Sequence, residues 1–320
     1  GESLWFDRSR NKRVTVGLDT LDTRLQFTTL AQPFDVSPGA RATFGRSLGR
    51  DYLGRDRFLE FTYYGGLQWS GVDGWNSLTA NPTLISPLGI NVPGFNLANS
   101  YFTSLDSNFN SIEFNFRMRR RLGRDQMVMS PNGGWSRHAE RGFLPGLILG
   151  VRLANVDEDF WFRSRRDNVP ENVFSGNYDI TTQNWLLGMN IGGELVSQNE
   201  FYFWGLRGRA APALTFASTQ QSVVGINTTN IPPNPVVPSP VIRSDQNTQT
   251  SPGFIGDLTL FAGWNVTPNF VLKVGYDFLW VAGIATATRQ FNLDDIRENP
   301  MDAGGQIFYN GVSFGFEGSW

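Results

Sequence analysis

The 320 residues predict an all-β chain, an antiparallel up-and-down transmembrane β-barrel of about ten strands, with eight to twelve compatible with the pattern. Three observations carry this expectation. Apolar side chains recur at every second position over runs longer than ten residues, whereas a soluble strand averages about 5–6 residues. Large aromatics stand at both ends of the clearest apolar run, Phe270 and Trp280 lying ten positions apart, the same separation as Leu59 and Trp69. At about 3.3 Å per residue and a tilt near 40°, ten positions cover roughly 25 Å, the height of a membrane barrel's apolar band. The opposite face of each run carries Arg, Glu, Asp, Lys and Gly, as expected of an enclosed axis and not of a sandwich core.

The strands follow in order. Residues 2–7 open the chain as one, and 36–47 form a second with Arg41 on its polar face. Between 59 and 69, Leu59, Phe61, Tyr63, Leu67 and Trp69 alternate with Glu60, Thr62, Tyr64, Gly66 and Gln68. Ile112, Phe114, Phe116 and Met118 alternate with Glu113, Asn115, Arg117 and Arg119. Residues 145–156, with Arg152 on the polar side, 184–192, 202–209 and 254–265 supply four more. The clearest run is 270–284, with Phe270, Leu272, Val274, Tyr276, Phe278, Trp280, Ala282 and Ile284 on one face. Its other face holds Lys273, Gly275 and Asp277 together with Val271, Leu279 and Val281. Residues 308–320 close the set. A further hairpin, with 13–18 and 24–29 as arms, would raise the count to twelve.

The connections alternate in length, as in outer-membrane barrels. Residues 49–56, 194–200 and 265–269 are tight turns. Long extracellular loops are expected at 72–103, 164–176, 226–252 and 287–304, all within one barrel domain spanning 1–320. The 226–252 stretch, with Pro232, Pro233, Pro235, Pro238, Pro240 and Pro252, is expected to stay out of any ladder. Residues 120–143 fall on the short-turn side yet are long and Arg-rich, which leaves an inward plug, a periplasmic dock or an extra hairpin open.

Composition narrows the function. Without Cys there are no disulfides, thiolate nucleophiles or Cys-ligated metals, and the single His138, a solvated loop residue, cannot build a His-rich site. Formal charge is −2 and only Lys12 and Lys273 interrupt an otherwise all-Arg basic set, so nothing marks a nucleic-acid binder. Mean hydropathy is −0.26 and no apolar run approaches the roughly 18 residues of a membrane helix. The residues from Gly1 onward show no charged n-region and apolar h-region, so any export signal is expected to have been removed or to lie outside these residues. The stretch GRDYLGRD at 49–56 lacks the Lys-Ser/Thr of a phosphate loop. The acidic run Asp157, Glu158, Asp159 reads as a solvated strand-end rim before a Ca²⁺ site.

Twelve residues are expected to line the lumen: Arg41, Glu60, Glu113, Arg117, Arg119, Arg152, Arg207, Arg209, Asp257, Lys273, Asp277 and Glu317. Seven are basic and five acidic. Trp69, Tyr202, Trp204, Trp264, Phe270, Trp280 and Trp320 are expected in the lipid-facing girdles. No catalytic residue, metal or cofactor is expected.

The C-terminal NGVSFGFEGSW (310–320) resembles the signal that hands outer-membrane barrels to the assembly machinery, with Trp320 as its terminal aromatic. GARATFGR (39–46), LEFTYYG (59–65), SIEFNFR (111–117) and GLILGVR (146–152) resemble the β-barrel porin-seven (BBP7-like) family of bacterial outer-membrane proteins. The resemblance implies the outer membrane of a double-membraned bacterium, with lipid and lipopolysaccharide as surroundings. The function expected is porin-like, limited passive passage of ions or small polar solutes. The alternative is a structural, anchoring barrel with a filled lumen, meeting a surface layer, neighbouring chains or copies of itself through its loops. A ten-strand bore is narrow, close to the eight-strand size that side chains fill.

Overall fold

The structure, a computed structural model, describes residues 1–9, 13–22, 26–29, 34–77, 84–85, 94–120, 126–129, 133, 135–138, 142–166, 175–199, 201–226, 240–267, 269–291 and 301–319. Among these the strands are β1 (Glu2–Arg8), β2 (Thr15–Asp19), β3 (Gln26–Thr28), β4 (Ser37–Arg50), β5 (Arg55–Asn76), β6 (Leu84–Ile85), β7 (Ser100–Arg120), β8 (Gln126–Met129), β9 (Trp135–His138), β10 (Gly142–Arg165), β11 (Gly176–Gln198), β12 (Tyr202–Ile226), β13 (Pro240–Thr267), β14 (Phe270–Ile284) and β15 (Gly305–Gly318). Ten of them close into one antiparallel barrel in the order β1-β15-β14-β13-β12-β11-β10-β7-β5-β4, each beside its neighbour in the chain, with β4 returning to β1.

Outward positions are apolar over one band. On β10 they run Phe143, Pro145, Leu147, Leu149, Val151 and Leu153, all exposed, and turn polar at Asp157 and Asp159. Those apolar positions span ten residue steps, roughly 25 Å along the axis of a tilted strand, which matches a membrane's apolar band. Phe278, Trp280 and Phe314 face out on the other side of the barrel, 44%, 37% and 51% exposed. Among the described residues no helix is long and apolar enough to cross a membrane.

Above that band the wall changes. β5, β7, β10, β11, β12 and β13 run on for 21–28 residues each, while β4, β14 and β15 have 14 or 15 and β1 has 7. The long-loop end is therefore a six-stranded extension. Its inner face buries Tyr101, Phe160, Phe162, Tyr178 and Ile180 against Val16 of β2, Phe27 of β3, Leu84 of β6 and Phe95.

Several expectations need correction. The 13–18 and 24–29 arms do form strands, but β2 pairs with β3 on one side and with β6 on the other, outside the wall, so the barrel has ten strands and not twelve. Part of the Pro-rich stretch does join a ladder: Pro240 lies opposite Ile226 and Pro252 opposite Leu214. Proline is tolerated there because β13 pairs with β14 only from Phe254 onward, leaving a side on which no ladder N–H is needed. The acidic run sits mid-strand in β10 and not at a rim, since the strand continues to Arg165. Ile284 is fully buried instead of facing lipid, because the register shifts between Ala282 and Ile284 at Gly283, whose φ is 75°.

The same device corrects Trp69. The β5–β7 register shifts between Tyr64 and Leu67, with Gly66 at φ 72°. One extra residue on a strand turns every later side chain to the other face, and a positive φ suits glycine. Phe61 and Tyr63 thus face out, whereas Leu67 and Trp69 face in, 0% and 2% exposed.

Candidate functional site: the filled bore

Strand parity sends a charged layer into the short-turn half of the bore. Its centre is a quartet of alternating sign from four strands. Arg152 on β10 lies 3.5 Å from Glu113 on β7 and 2.6 Å from Asp257 on β13. Arg209 on β12 meets the same two carboxylates, 2.7 Å from Asp257 and in contact with Glu113. Each guanidinium thus binds both acids and each acid both guanidiniums, which offsets the desolvation of four buried charges. Asn190 donates to Asn115 (2.9 Å), and Asn115 donates to Glu113 (2.9 Å). Beside the quartet, Arg41 bridges Glu2 and Asp277, both at 2.8 Å, and stacks on the Tyr64 ring.

A second cluster lies nearer the short turns. Glu194 accepts from Arg119 at 2.8 Å and Arg207 at 3.1 Å, with Arg117 at 3.8 Å. Arg117 reaches Glu60 at 2.8 Å, and Lys273 pairs with Glu317. All twelve residues expected on the lumen face take part in ion pairs, and Glu317, its side chain 58% exposed, stands at the short-turn mouth. The space left in the quartet layer is a cavity of about 10 Å³, bounded by Arg41, Tyr64, Glu113, Arg152, Arg209, Asp257 and Asp277, room for one water.

Further along the same strands the bore turns apolar. Leu4, Phe6, Leu67, Trp69, Phe109, Val156, Leu186, Ile255, Leu279, Val281 and Tyr309 form one buried cluster supplied by the wall itself. Trp69 stacks at 4.9 Å on Tyr309, and its Nε1 donates to the Phe6 carbonyl at 3.0 Å. Above this layer Arg8 on β1 pairs with Glu158 on β10, both side chains fully buried. Glu158 also accepts the Ala287 amide at 2.8 Å, and Asn184 exchanges two hydrogen bonds with Ala285, at 2.9 and 2.7 Å. The segment after β14 is thereby folded into the mouth. On β10 alone the inward sequence reads Arg152, Ala154 and Val156, Glu158, then Phe160 and Phe162: charge, hydrocarbon, charge, hydrocarbon.

Of the expected girdle, Tyr202, Trp204, Trp264, Phe270 and Trp280 point outward, 37–61% exposed. Trp69 does not, as described above, and Trp320 lies outside the described residues. His138 falls in β9, opposite Gln126 in a hairpin at the short-turn end; its side chain lies outside the described residues. Among the described residues no group of three or more His, Cys, Asp or Glu could hold a metal ion. Sequence reasoning missed Glu2, Arg8, Glu158 and Glu194. The signal for Glu158 was present, since it shares parity with Arg152. The tight turn expected at 194–200 is shorter than that, since β11 runs on to Gln198 and holds Glu194 within the strand.

No family model and no curated protein matches the chain. Among solved structures, the outer-membrane protease OmpT from Escherichia coli is similar over 100% of this chain and 96% of its own, at 11% identity and a TM-score of 0.37.

Proposed function

We propose that this is a bacterial outer-membrane barrel with a sealed bore, a structural or anchoring element that acts through its extended long-loop end and not as an open channel. The observation that carries the reading is the stacking of a fully paired charge layer under an apolar layer. Trp69, Phe109 and Tyr309 belong to the wall strands, so no loop has to move for them to fill the axis. A hydrated ion would have to shed its water twice, once among paired charges and once among hydrocarbon, each a cost of several kcal/mol. The apolar exterior band and the resemblance to the β-barrel porin-seven family support the location. The six strands that run beyond the band supply a platform for a surface layer or neighbouring chains.

The porin reading has one observation in its favour: the short-turn half of the bore is polar and nearly charge-balanced. It requires a path through the apolar layer. Planar-bilayer recording of the purified barrel separates the two. The sealed reading expects no current step above the bare bilayer in 1 M KCl; discrete, reproducible steps from the folded protein would establish passage instead.

A further inference from the structure

Around most of the barrel's short-turn rim, the outward residues are aromatic or apolar: Phe143, Tyr202, Trp204, Trp264, Phe270 and Phe316 are all exposed. One sector differs. On β4, β5 and β7 the outward positions just past Phe44, Leu59 and Met118 carry arginines. The register sets Arg46 beside Leu59, Arg57 beside Met118, and Arg55 beside Arg120. Rows of one face lie about 7 Å apart and strands about 4.8 Å apart, so Arg46, Arg57 and Arg120 step diagonally across three strands, interleaved with Leu48 and Met118. Among the described residues no carboxylate pairs with Arg46, Arg57 or Arg120. Asp51 is committed to Arg55 (2.7 Å) and to the Leu53 and Arg55 amides (2.9 and 2.8 Å), which hold its carboxyl below the usual carboxylate range. Asp56 pairs with Arg50 at 3.3 Å. Arg57 reaches back to the Leu48 carbonyl at 3.3 Å, which anchors one guanidinium against the strand.

We propose that this sector binds the phosphate of an anionic glycerophospholipid in the leaflet at the short-turn end. The inference rests on the reading of the chain as a membrane barrel. The guanidiniums are placed where the apolar band ends, at headgroup depth, and Arg matches phosphate with two parallel hydrogen bonds. Phe44, 66% exposed on the same face, lies against the acyl chain of the bound lipid. Basic side chains at a membrane surface favour anionic lipid, and a fivefold preference shared by the three arginines is about 1 kcal/mol in total.

Native mass spectrometry of the detergent-released barrel, exchanged against equimolar dioleoyl phosphatidylglycerol and phosphatidylcholine, reads this directly. The wild type is expected to retain phosphatidylglycerol about fivefold over phosphatidylcholine. Combined Arg46→Gln, Arg57→Gln and Arg120→Gln brings the ratio to parity, and the three Arg→Lys changes restore part of it. Should the triple Gln variant fold poorly, Arg46→Gln alone, at an exposed position, is expected to halve the preference. Parity in the wild type, or a preference that the Gln variants leave unchanged, overturns the proposal. A barrel that conducts ions but keeps this preference would remove the sealed-bore reading and leave the lipid site standing. A chain that never enters detergent or bilayer as a folded barrel would remove both.

Discussion

Asp257→Ala lowers the free energy of unfolding by about 3–5 kcal/mol, the range for breaking a buried ion pair from one side. The size follows from the quartet's geometry. Arg152 and Arg209 are 2% and 12% exposed at their side chains, and each spends one arm on Asp257. Without that carboxylate both cations keep Glu113 as their one carboxylate partner in the quartet, Arg152 retaining only its hydrogen bond to Ser111 besides. The surface pair Arg50–Asp56, at 3.3 Å and with the Arg side chain 40% exposed, gives the internal comparison: Asp56→Ala costs about 0–1 kcal/mol. Replacing all four quartet residues by apolar side chains of matched volume is expected to cost less than the single change, because it removes the desolvation along with the attraction. Urea unfolding of the reconstituted barrel, followed by tryptophan fluorescence, measures each. An Asp257→Ala effect no larger than that of Asp56→Ala would mean the interior charges are already hydrated.

The second large effect belongs to Trp69. Trp69→Ala removes a ring that is 2% exposed, empties space beside Tyr309, and leaves the Phe6 carbonyl without the indole donor. The expected loss is about 3–5 kcal/mol for a buried aromatic truncation. Trp204→Ala, at an outward position 53% exposed, trades an aromatic belt contact for lipid and is expected to cost about 1 kcal/mol. An unbroken strand alternation gives both tryptophans the same environment and so equal costs; the bulge at Gly66 separates them. Equal losses in the same urea assay would place Trp69 back on the lipid face.

These two residues mark the limit of what the sequence made legible. Alternation is a local signal, and where it runs unbroken it tells inside from outside: Glu113, Arg117, Lys273 and Asp277 all sit on the face their parity assigns. It fails where a glycine with positive φ inserts a residue, as at Gly66 and Gly283, because parity beyond the insertion reverses while the residue types stay plausible on either face. Trp69 reads equally well as a girdle tryptophan and as a core one. Parity also says which way a side chain points and not how far the bore is filled. Leu279 and Val281 stood on the charged face of the 270–284 run as apparent irregularities. They are in fact the β14 share of the apolar layer, which exists only when Phe6, Phe109 and Tyr309 arrive from strands far away in sequence. The ties of Glu158 to Arg8 and Ala287 and of Asn184 to Ala285 are of the same non-local kind, and no spacing rule reveals them.

The account depends most on sidedness, and the absence of cysteine lets single-cysteine variants report it. Nitroxide labels placed one at a time at 272–280 on β14, with Phe314→Cys on β15, are exposed in lipid bilayers to oxygen, which partitions into hydrocarbon, and to a water-soluble nickel chelate. The expected result is a period of two: high oxygen and low nickel accessibility at 272, 274, 276, 278, 280 and 314, with both low at 277 and 279. A folded, reconstituted protein in which 278, 280 and 314 are shielded from oxygen would contradict it.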